Sequence, residues 1–188
     1  MSSTEILINV TPQETRVAFV EAGMLQEVAI ERTRSRGIVG NVYMGKVCRV
    51  LPGMEAAFVE IGLDRAAFLH ASDVIPATRE ERAELDQPLP INSLLQEGQK
   101  LLVQVVKDPL GTKGARLTTH VTIPSRYLVL MPYGGSIGVS TRIEDNAERE
   151  RLRQLVQDQR GEKSQGYILR TAAEGVPDED LIHDMAFL

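Results

Sequence analysis

The stretch VYMGKVCRVLPGMEAAFVEIGLDRAAFLHA, residues 42–71, decides the fold predicted for this chain. It contains three short runs rich in apolar residues, separated by Pro52-Gly53 and by a turn from Gly62 to Arg65. Short runs with tight turns between them predict antiparallel strands. The runs KLLVQVVKD and ARLTTHVTI follow later in the chain. Five short strands with one long connection predict a small closed or nearly closed barrel.

That long connection is an excursion between the third and fourth predicted strands. It runs from Ile75 to Gly98 and carries Pro76, Pro88 and Pro90 together with the charged run REERAELD. Prolines and dense charge predict a solvated insertion. We assign no chemistry to it.

The segment before the barrel predicts a separate β-ribbon. Residues 5–31 alternate apolar and polar side chains and turn at Ala22-Gly23, which is typical of two or three antiparallel strands. A ribbon of this size buries one face at most and leaves its edges open. We therefore expect it to need a partner.

The segment after the barrel predicts a small α+β region. Strands are expected at SRYLVLMP and GYILRT, and a helix between them begins at the capping pair Asp145 and Glu148. Pro177 suits the first turn of a last helix, which reaches the final residue without a glycine or polar cap. This region is therefore expected to be truncated.

The composition limits the classes of function. The chain has 188 residues, of which 43% are hydrophobic, so it can bury one sizeable core or two small ones. A net charge of −5 argues against a broadly basic surface that coats nucleic acid, so any nucleic-acid site must be local.

A single cysteine, Cys48, excludes an internal disulfide and a CxxC metal site, and we expect it to be a small core or half-buried residue. No signal peptide or long apolar run is present, which predicts a cytoplasmic protein with no membrane partner.

Strand alternation predicts two aromatic rings on the outside of the barrel. If Ala57 and Val59 face the core, Phe58 lies on the opposite face; if Leu69 faces the core, Phe68 also points outward, with His70. Exposed rings on a small barrel can stack on the bases of single-stranded RNA, which contributes about 1 to 3 kcal/mol per base. A pairing shifted by one residue, or a neighbouring domain that covers both rings, would also fit the pattern.

The loop KDPLGTKGARLT, residues 107–118, places two lysines between the last two strands. It is not a Walker loop, because Lys113 is followed by Gly114 and a strand rather than by Ser or Thr and a helix. Taken alone, the loop is best explained as a hairpin turn with an incidental lysine. Beside the two outward rings, Lys107 and Lys113 become candidates to meet RNA phosphates.

Four stretches carry a resemblance to a known family: GIVGNVYMGKVCRVLPGMEAAFVEIGLDRAAFLHASDV, VVKDPLGTKGARLTT, YLVLMP and LRTAAEGV. In this order they resemble the N-terminal part of the RNase E/RNase G family of bacterial endoribonucleases. The resemblance implies a mixed α+β, mostly β chain with three parts. Residues 1–36 would be N-terminal strands of an incomplete RNase H-like subdomain, 37–120 an S1-type OB-fold RNA-binding domain, and 121–188 a small α+β 5′-sensor region.

The resemblance also implies site residues. Phe58, Phe68 and Lys113 would contact single-stranded RNA from the barrel, in agreement with the alternation argument. Arg170 and Thr171 would bind the 5′-monophosphate of the RNA, with Val129 nearby and Arg142 assisting.

The residues themselves leave the 5′-phosphate roles open. A guanidinium can hold a terminal phosphate bidentately and a threonine hydroxyl adds a donor. An arginine at a strand end is otherwise usually a surface cation in a weak ion pair. Arg142 could equally be a structural partner of Glu144 and Asp145.

Catalysis is expected to lie outside this chain. The resemblance implies a magnesium-dependent endoribonuclease that acts in RNA processing and decay, cuts A/U-rich single strands, and forms zinc-linked homo-oligomers at full length. No catalytic or metal-binding residue is assigned here, since the chain has no cysteine pair and its histidines His70, His120 and His183 are scattered. Magnesium and zinc are thus implied only for the longer protein, and the shorter chain could be a monomer.

Two other classes of function remain compatible with the sequence. One is a stand-alone OB-fold RNA-binding module without nuclease activity. The other is a structural OB domain that binds protein, which predicts no salt-dependent affinity for RNA.

Overall fold

The computed structural model describes residues 3–76, 89–161 and 163–188 of the chain. The chain divides into two compact units, Met1–Ile38 and Val39–Leu188. The described residues form a three-stranded sheet, a closed five-stranded barrel, a four-stranded sheet and a few helices. The predicted mixed, mostly β class is confirmed.

The first unit is an antiparallel meander. Its strands are β1 (Thr4–Val10), β2 (Glu14–Glu21) and β3 (Met24–Arg32), in the order β1-β2-β3. The turn between β2 and β3 is formed by Ala22 and Gly23, with φ of +49° and +78°. Two left-handed residues match the twist of the flanking strands, which is why short hairpins favour this turn. The predicted ribbon and its turn are confirmed.

Both faces of this meander carry exposed apolar side chains. Ile6 and Ile8 are 63% and 65% exposed, and Leu7, which points to the other face, is 55% exposed. Leu25 and Val28 on β3 are exposed as well. The unit does not bury these apolar side chains by itself. Apolar side chains on both faces are typical of a sheet that is covered on both faces.

The second unit begins with the barrel. Its strands are β4 (Val42–Leu51), β5 (Ala56–Glu60), β6 (Ala67–His70), β7 (Lys100–Lys107) and β8 (Arg116–Thr118). They pair in the order β4-β5-β6-β8-β7, and β7 closes onto β4. All neighbours are antiparallel except β6 and β8. The interior is filled by fully buried aliphatic side chains, among them Val47, Val59, Leu69, Val103 and Leu117.

Part of the excursion belongs to the barrel core. Helix α1 (Ile91–Leu94) buries Ile91 completely, and Leu95 is also buried. The N–H of Ile91 donates to the Glu55 carboxylate at 2.8 Å. The expectation of a solvated insertion is wrong for these residues, because two apolar side chains spaced four apart, Ile91 and Leu95, are buried. Residues 77–88, with the charged run, lie outside the described part.

A small sheet backed by two helices completes the second unit. The strands are β9 (Ile123–Pro124), β10 (Leu128–Met131), β11 (Ile137–Val139) and β12 (Gly166–Leu169), in the order β11-β12-β10-β9. Helices α2 (Asn146–Arg160) and α3 (Asp178–Phe187) supply Leu152, Val156 and Leu181 to the same hydrophobic core as Leu128 and Leu169. No helix among the described residues is long and apolar enough to cross a bilayer.

Helix α2 begins at the predicted cap, with one difference. The Asp145 side chain accepts the N–H of Ala147 at 3.0 Å. Glu148 does not complete the capping pair, because its carboxylate instead binds Arg151 and the N–H of Gly175.

Two glycines shape the loop between β7 and β8. Gly111 has φ of +58°, which favours glycine. At Gly114 a Cβ atom would lie 2.0 Å from the carbonyl oxygen of Ala66. The loop backbone therefore packs directly against the start of β6, where the N–H of Phe68 donates to the Ala115 carbonyl at 2.7 Å.

We predict that Gly114→Ala destabilises the barrel by about 1 to 3 kcal/mol, because the added methyl meets backbone that cannot move independently. The measurement is the urea-unfolding midpoint. Gly53→Ala is the matched control, since nothing lies within 4 Å of its added Cβ. Equal midpoints for the two variants would contradict the close approach.

Candidate RNA-binding face and phosphate site

Strand register lines up a row of side chains across the outer face of the barrel. Successive cross-strand partners are Arg49, Phe58, Phe68, Arg116 and Lys107, on β4, β5, β6, β8 and β7. Neighbouring strands lie about 4.8 Å apart, so the row follows the curved outer surface of the barrel for about 19 Å, from β4 to β7. Two aromatic rings thus lie side by side with cations at both ends, and we call this set the basic-aromatic row.

The two rings contact each other on the predicted face. Their centroids are 6.3 Å apart and their planes are inclined by 71°, an edge-to-face arrangement. Ala57, Val59 and Leu69 are fully buried while Phe58 and Phe68 are half-buried. The predicted faces are confirmed, and the alternative pairing shifted by one residue is wrong.

Two β-bulges bring the terminal cations into the row. The register shifts between Val47 and Arg49 on β4, and between Val105 and Lys107 on β7. Simple alternation would point Arg49 inward, since Val47 is buried, but a bulge inserts one extra residue and re-aims those that follow. The sequence pattern therefore missed Arg49. The inserted residue is Cys48, which is exposed, so its expected partial burial is wrong.

Arg116 is a second member of the row that the sequence reasoning missed. Its Nε and Nη2 atoms donate to one carboxylate oxygen of Asp73, at 3.2 and 2.9 Å. The arginine remains 44% exposed. Its place beside Phe68 follows from the parallel pairing of β6 and β8, which no local pattern reveals.

The loop that contains Lys113 is closed by its own backbone. Leu110 and Lys113 exchange N–H···O=C bonds of 3.2 and 3.0 Å, and Arg65 donates to the carbonyl of Gly111. The Lys113 side chain is exposed, as is Lys107. The loop is a turn between strands and not a helix N-terminus, which agrees with the exclusion of a Walker loop.

The predicted phosphate-binding residues meet at one edge of the small sheet. Because β11 and β12 are parallel, their carboxyl ends lie at the same edge, and Ser140 and Arg170 directly follow them. The Thr171 and Ser140 hydroxyls are 3.0 Å apart, and the N–H of Arg142 lies 3.4 Å from the Ser140 oxygen. The structure therefore places the backbone of Arg142 near Thr171 and Arg170, with Ser140 as a neighbour that the sequence did not indicate.

Val129 lies beside this edge on the sheet face away from the helices. It pairs with Ile168 on β12, whereas its neighbours Leu128 and Leu130 point into the core. Val129 is half-buried and Ile168 is 38% exposed. The two side chains form an apolar surface next to the polar edge.

Arg170 is exposed but partly anchored. Its Nη1 donates to the carbonyl of Ser125 at 2.6 Å. Asp184 on α3 in turn accepts from the Ser125 hydroxyl at 2.5 Å and from the N–H groups of Tyr127 and Leu128 at 2.9 and 3.1 Å. A guanidinium has five N–H donors, so the anchor leaves most of them available to a ligand.

Arg149 holds the turn that carries Ser140 and Arg142. Its guanidinium donates to the carbonyls of Ser140, Ile143 and Val139, at 2.6, 3.0 and 3.4 Å. Within the described residues Arg142 makes no ion pair with Glu144 or Asp145. Arg149, through these carbonyl contacts, is therefore the arginine that holds the turn, and the Arg142 side chain is exposed.

Glu148 stabilises the turn that follows Thr171 at this edge of the sheet. Its carboxylate binds Arg151 at 2.7 and 2.8 Å and accepts the N–H of Gly175 at 2.9 Å, which ties α2 to the turn after Thr171. The Arg151 hydrogen bond, with the Gly175 N–H second, lowers the pKa of Glu148 from 4.5 to about 2. The carboxylate is therefore ionised wherever this contact is intact.

No group of three or more histidine, cysteine, aspartate or glutamate side chains that could hold a metal ion occurs in the described ranges. The donors at the sheet edge are arginines, hydroxyls and backbone N–H groups. The arginines and the backbone N–H groups are donors only, and such groups bind anions.

A closed five-stranded barrel with strand order 1-2-3-5-4 defines an OB-fold protein, here with a small α+β sheet attached. Residues 122–188 match the model of the "Ribonuclease E/G family". Ribonuclease G of Escherichia coli is 58% identical over 99% of this chain, and ribonuclease E of Nostoc sp. is 40% identical over 96% of it. The chain belongs to the ribonuclease E/G family. It spans 38% of the length of the E. coli relative and 25% of the Nostoc relative.

A solved structure was also found, the solution structure of GSP13 from Bacillus subtilis. It is 26% identical, with a TM-score of 0.31, and the match covers 43% of this chain and 54% of that one.

We predict that Glu148→Gln lowers the free energy of unfolding by about 1 to 2 kcal/mol at pH 7, because it weakens charge-assisted hydrogen bonds. The pKa of Glu148 is lowered in the folded state, so its contribution is present above 4.5 and is lost as the pH falls towards 2. Urea midpoints of both proteins should therefore converge as the pH falls from about 4.5 towards 2.

Glu150→Gln is the control for this experiment. Glu150 forms an ion pair with Arg153 on the same helix, but its side chain is 67% exposed, so the loss should be below about 0.5 kcal/mol at every pH. A difference between Glu148→Gln and the wild type that stays constant with pH would contradict the assignment.

Proposed function

We propose that this chain is the RNA-recognition part of a ribonuclease of the E/G family. It would hold single-stranded RNA on the barrel and bind the 5′-monophosphate at the edge of the small sheet. The basic-aromatic row is the observation that carries the proposal. It joins the two chemistries that an RNA strand requires, flat surfaces for bases and cations for phosphates.

On the barrel, Phe58 and Phe68 would stack on bases. Their rings lie on the outer face of the second and third barrel strands, where OB folds commonly bind oligonucleotides. Lys107 and Lys113 would meet phosphates, and the exposed side chains of Arg49 and Arg116 extend the cationic ends of the row. Stacking is tolerant of sequence, so this face would bind single strands with little base preference.

At the sheet edge, Arg170 and Thr171 would hold the terminal phosphate. A guanidinium with one Nη atom bound to a carbonyl has a fixed orientation and still offers paired donors to a phosphate. The Thr171 hydroxyl adds a donor, Arg142 would supply a second positive charge, and Val129 would contact the terminal nucleotide. A monophosphate carries one terminal group that fits this donor set, whereas a 5′-hydroxyl offers no charge.

The hydrolysis reaction is not assigned to residues of this chain. The family resemblance implies a magnesium-dependent endoribonuclease that cuts A/U-rich single strands and forms oligomers linked by zinc. We propose these properties for the longer protein and derive no catalytic step from the residues described.

The first prediction concerns the two sites. A short A/U-rich RNA with a 5′-monophosphate should bind more tightly than the same RNA with a 5′-hydroxyl. Arg170→Ala should remove that preference, and Phe58→Ala should weaken both RNAs about tenfold, in line with one lost stacking contact. Fluorescence anisotropy over a salt series measures this. Equal binding of both RNAs by the wild type would refute the 5′-phosphate site while leaving the barrel site intact.

The second prediction concerns the end of the row. Arg49→Ala should weaken binding of both RNAs equally and reduce the slope of log K against log salt by about 0.7, because one phosphate contact on a single strand is lost. Arg153→Ala, on the outer side of α2, is the matched control and should change neither quantity. An unchanged slope for Arg49→Ala would show that the RNA does not reach β4.

A further inference from the structure

Arg126 lies at the tip of a tight turn between β9 and β10. The N–H of Ser125 donates to the carbonyl of Leu128 at 2.8 Å, so Arg126 and Tyr127 are the two central residues of this turn. Asp184 accepts hydrogen bonds from the Ser125 hydroxyl and from the N–H groups of Tyr127 and Leu128. The backbone that carries the Arg126 side chain is therefore held on several sides.

The same turn holds Arg170 of the candidate phosphate site. The carbonyl of Ser125 accepts a hydrogen bond from Nη1 of Arg170 at 2.6 Å, and the carbonyl of Tyr127 accepts the Arg170 N–H at 2.8 Å. Arg126 is thus the residue between the two that bind Arg170. Standard peptide geometry places Nη1 of Arg170 within about 6 Å of the Cα atom of Arg126.

The Arg126 guanidinium lies over an aromatic ring. Its central carbon is 5.1 Å from the centroid of the Tyr127 ring, which is a cation–π distance. Arg126 is exposed, while Tyr127 is half-buried against the core of the small sheet. The ring contact orients the side chain without supplying an oxygen acceptor to its N–H donors.

No carboxylate neutralises this cation in the part of the chain that the structure describes. The ion pairs found there include neither Arg126 nor Arg170. Two cations fixed to one turn repel each other, and anions that contact them remove this repulsion. The two guanidinium groups also have separate anchors, the Tyr127 ring for one and the Ser125 carbonyl for the other. Separate anchors favour two anionic groups over one.

We propose that Arg126 contacts the second phosphate of the RNA, the phosphodiester that follows the first nucleotide. This inference rests on the proposed function, since it extends the 5′-phosphate site by one position. With the terminal monophosphate on Arg170, the neighbouring cation meets the next phosphate along the strand. The ligand of the sheet edge is then the end of an RNA strand, because a free nucleoside monophosphate lacks the second phosphate.

A structural role of Arg126 must be separated from this one. The side chain also covers part of the Tyr127 ring, so its loss can affect the turn that holds Arg170. Arg126→Gln and Arg126→Lys divide the two roles. Both variants keep an aliphatic stem beside the ring, but only lysine keeps the positive charge.

The experiment removes the charge from either side of the proposed contact in the 188-residue chain. The probe is a seven-nucleotide oligouridylate with a 5′-monophosphate, whose first internucleotide linkage is either a phosphodiester or an uncharged methylphosphonate. Arg126→Gln should bind the natural RNA about three- to fivefold more weakly than the wild type, the effect of one exposed charge pair. The methylphosphonate should weaken wild-type binding by a similar factor. Both changes together should cost no more than either alone, because they remove the same contact.

Three controls locate the effect. A methylphosphonate at the fifth linkage should add to the loss caused by Arg126→Gln, because that phosphate lies elsewhere. Arg153→Gln, at another exposed arginine, should leave the binding of each probe unchanged. Arg126→Lys should bind the natural RNA within about twofold of the wild type, with the same urea midpoint as Arg126→Gln.

The outcomes separate this inference from the function on which it rests. Losses that add fully for Arg126→Gln and the first-linkage methylphosphonate would overturn it, as would wild-type affinity of Arg126→Gln for the natural RNA. If Arg126→Lys loses as much affinity as Arg126→Gln, the effect is not one of charge, and the inference is overturned. In each of these cases a wild-type preference for the 5′-monophosphate over a 5′-hydroxyl leaves the proposed function standing. If the folded wild type binds both RNA ends equally, the 5′-phosphate site fails and this inference fails with it.

Discussion

The parallel pairing of β6 with β8 is the constraint on which the barrel and its outer face depend. It joins Phe68 and Leu69 to Arg116 and Leu117, which come from distant parts of the chain. The same pairing closes the cylinder, since β8 also pairs with β7 and β7 with β4. Gly114 favours this pairing, because it allows the loop backbone to approach the Ala66 carbonyl. A side chain at that position would separate the two strands and with them the aromatic and cationic parts of the row.

The sequence predicted those features that depend on local alternation. The five barrel strands, the N-terminal ribbon with its turn at Ala22-Gly23, and the outward faces of Phe58 and Phe68 all follow from a period of two. Alternation fails where a bulge adds a residue, which is why Arg49 and the exposure of Cys48 were not predicted. It also fails where burial depends on a neighbouring element, as for Ile91. The bulge lies between consecutive strands, but the contact of Ile91 with Glu55 joins segments far apart in sequence.

The sheet edge was predicted through family resemblance and not through pattern. Arg170 and Thr171 lie at the end of a predicted strand, but nothing local indicates that β11, a short strand with a glycine at its centre, runs parallel beside it. The residues that fix the edge are on helices: Arg149 and Glu148 on α2, and Asp184 on α3. On a sequence these are ordinary charged residues of amphipathic helices. Only the fold shows that each binds backbone groups next to the candidate phosphate site.

The two candidate sites use different physics, and this difference explains how an acidic chain with a net charge of −5 could select RNA ends. Stacking of bases on rings does not depend on the chemical group at the 5′ end of the RNA. The barrel face would therefore supply affinity for RNA without distinguishing a 5′-monophosphate from a 5′-hydroxyl. The sheet edge has arginines and hydroxyls held by backbone contacts and only a small apolar surface at Val129 and Ile168, so it would add affinity only when a terminal phosphate is present. Because the chain carries a net charge of −5, its overall field does not attract RNA, so contact would be favoured only where cations are clustered. In the proposed function, the clustered cations would therefore also determine where the RNA lies, on the face and at the edge where its bases and its 5′ end can be recognised.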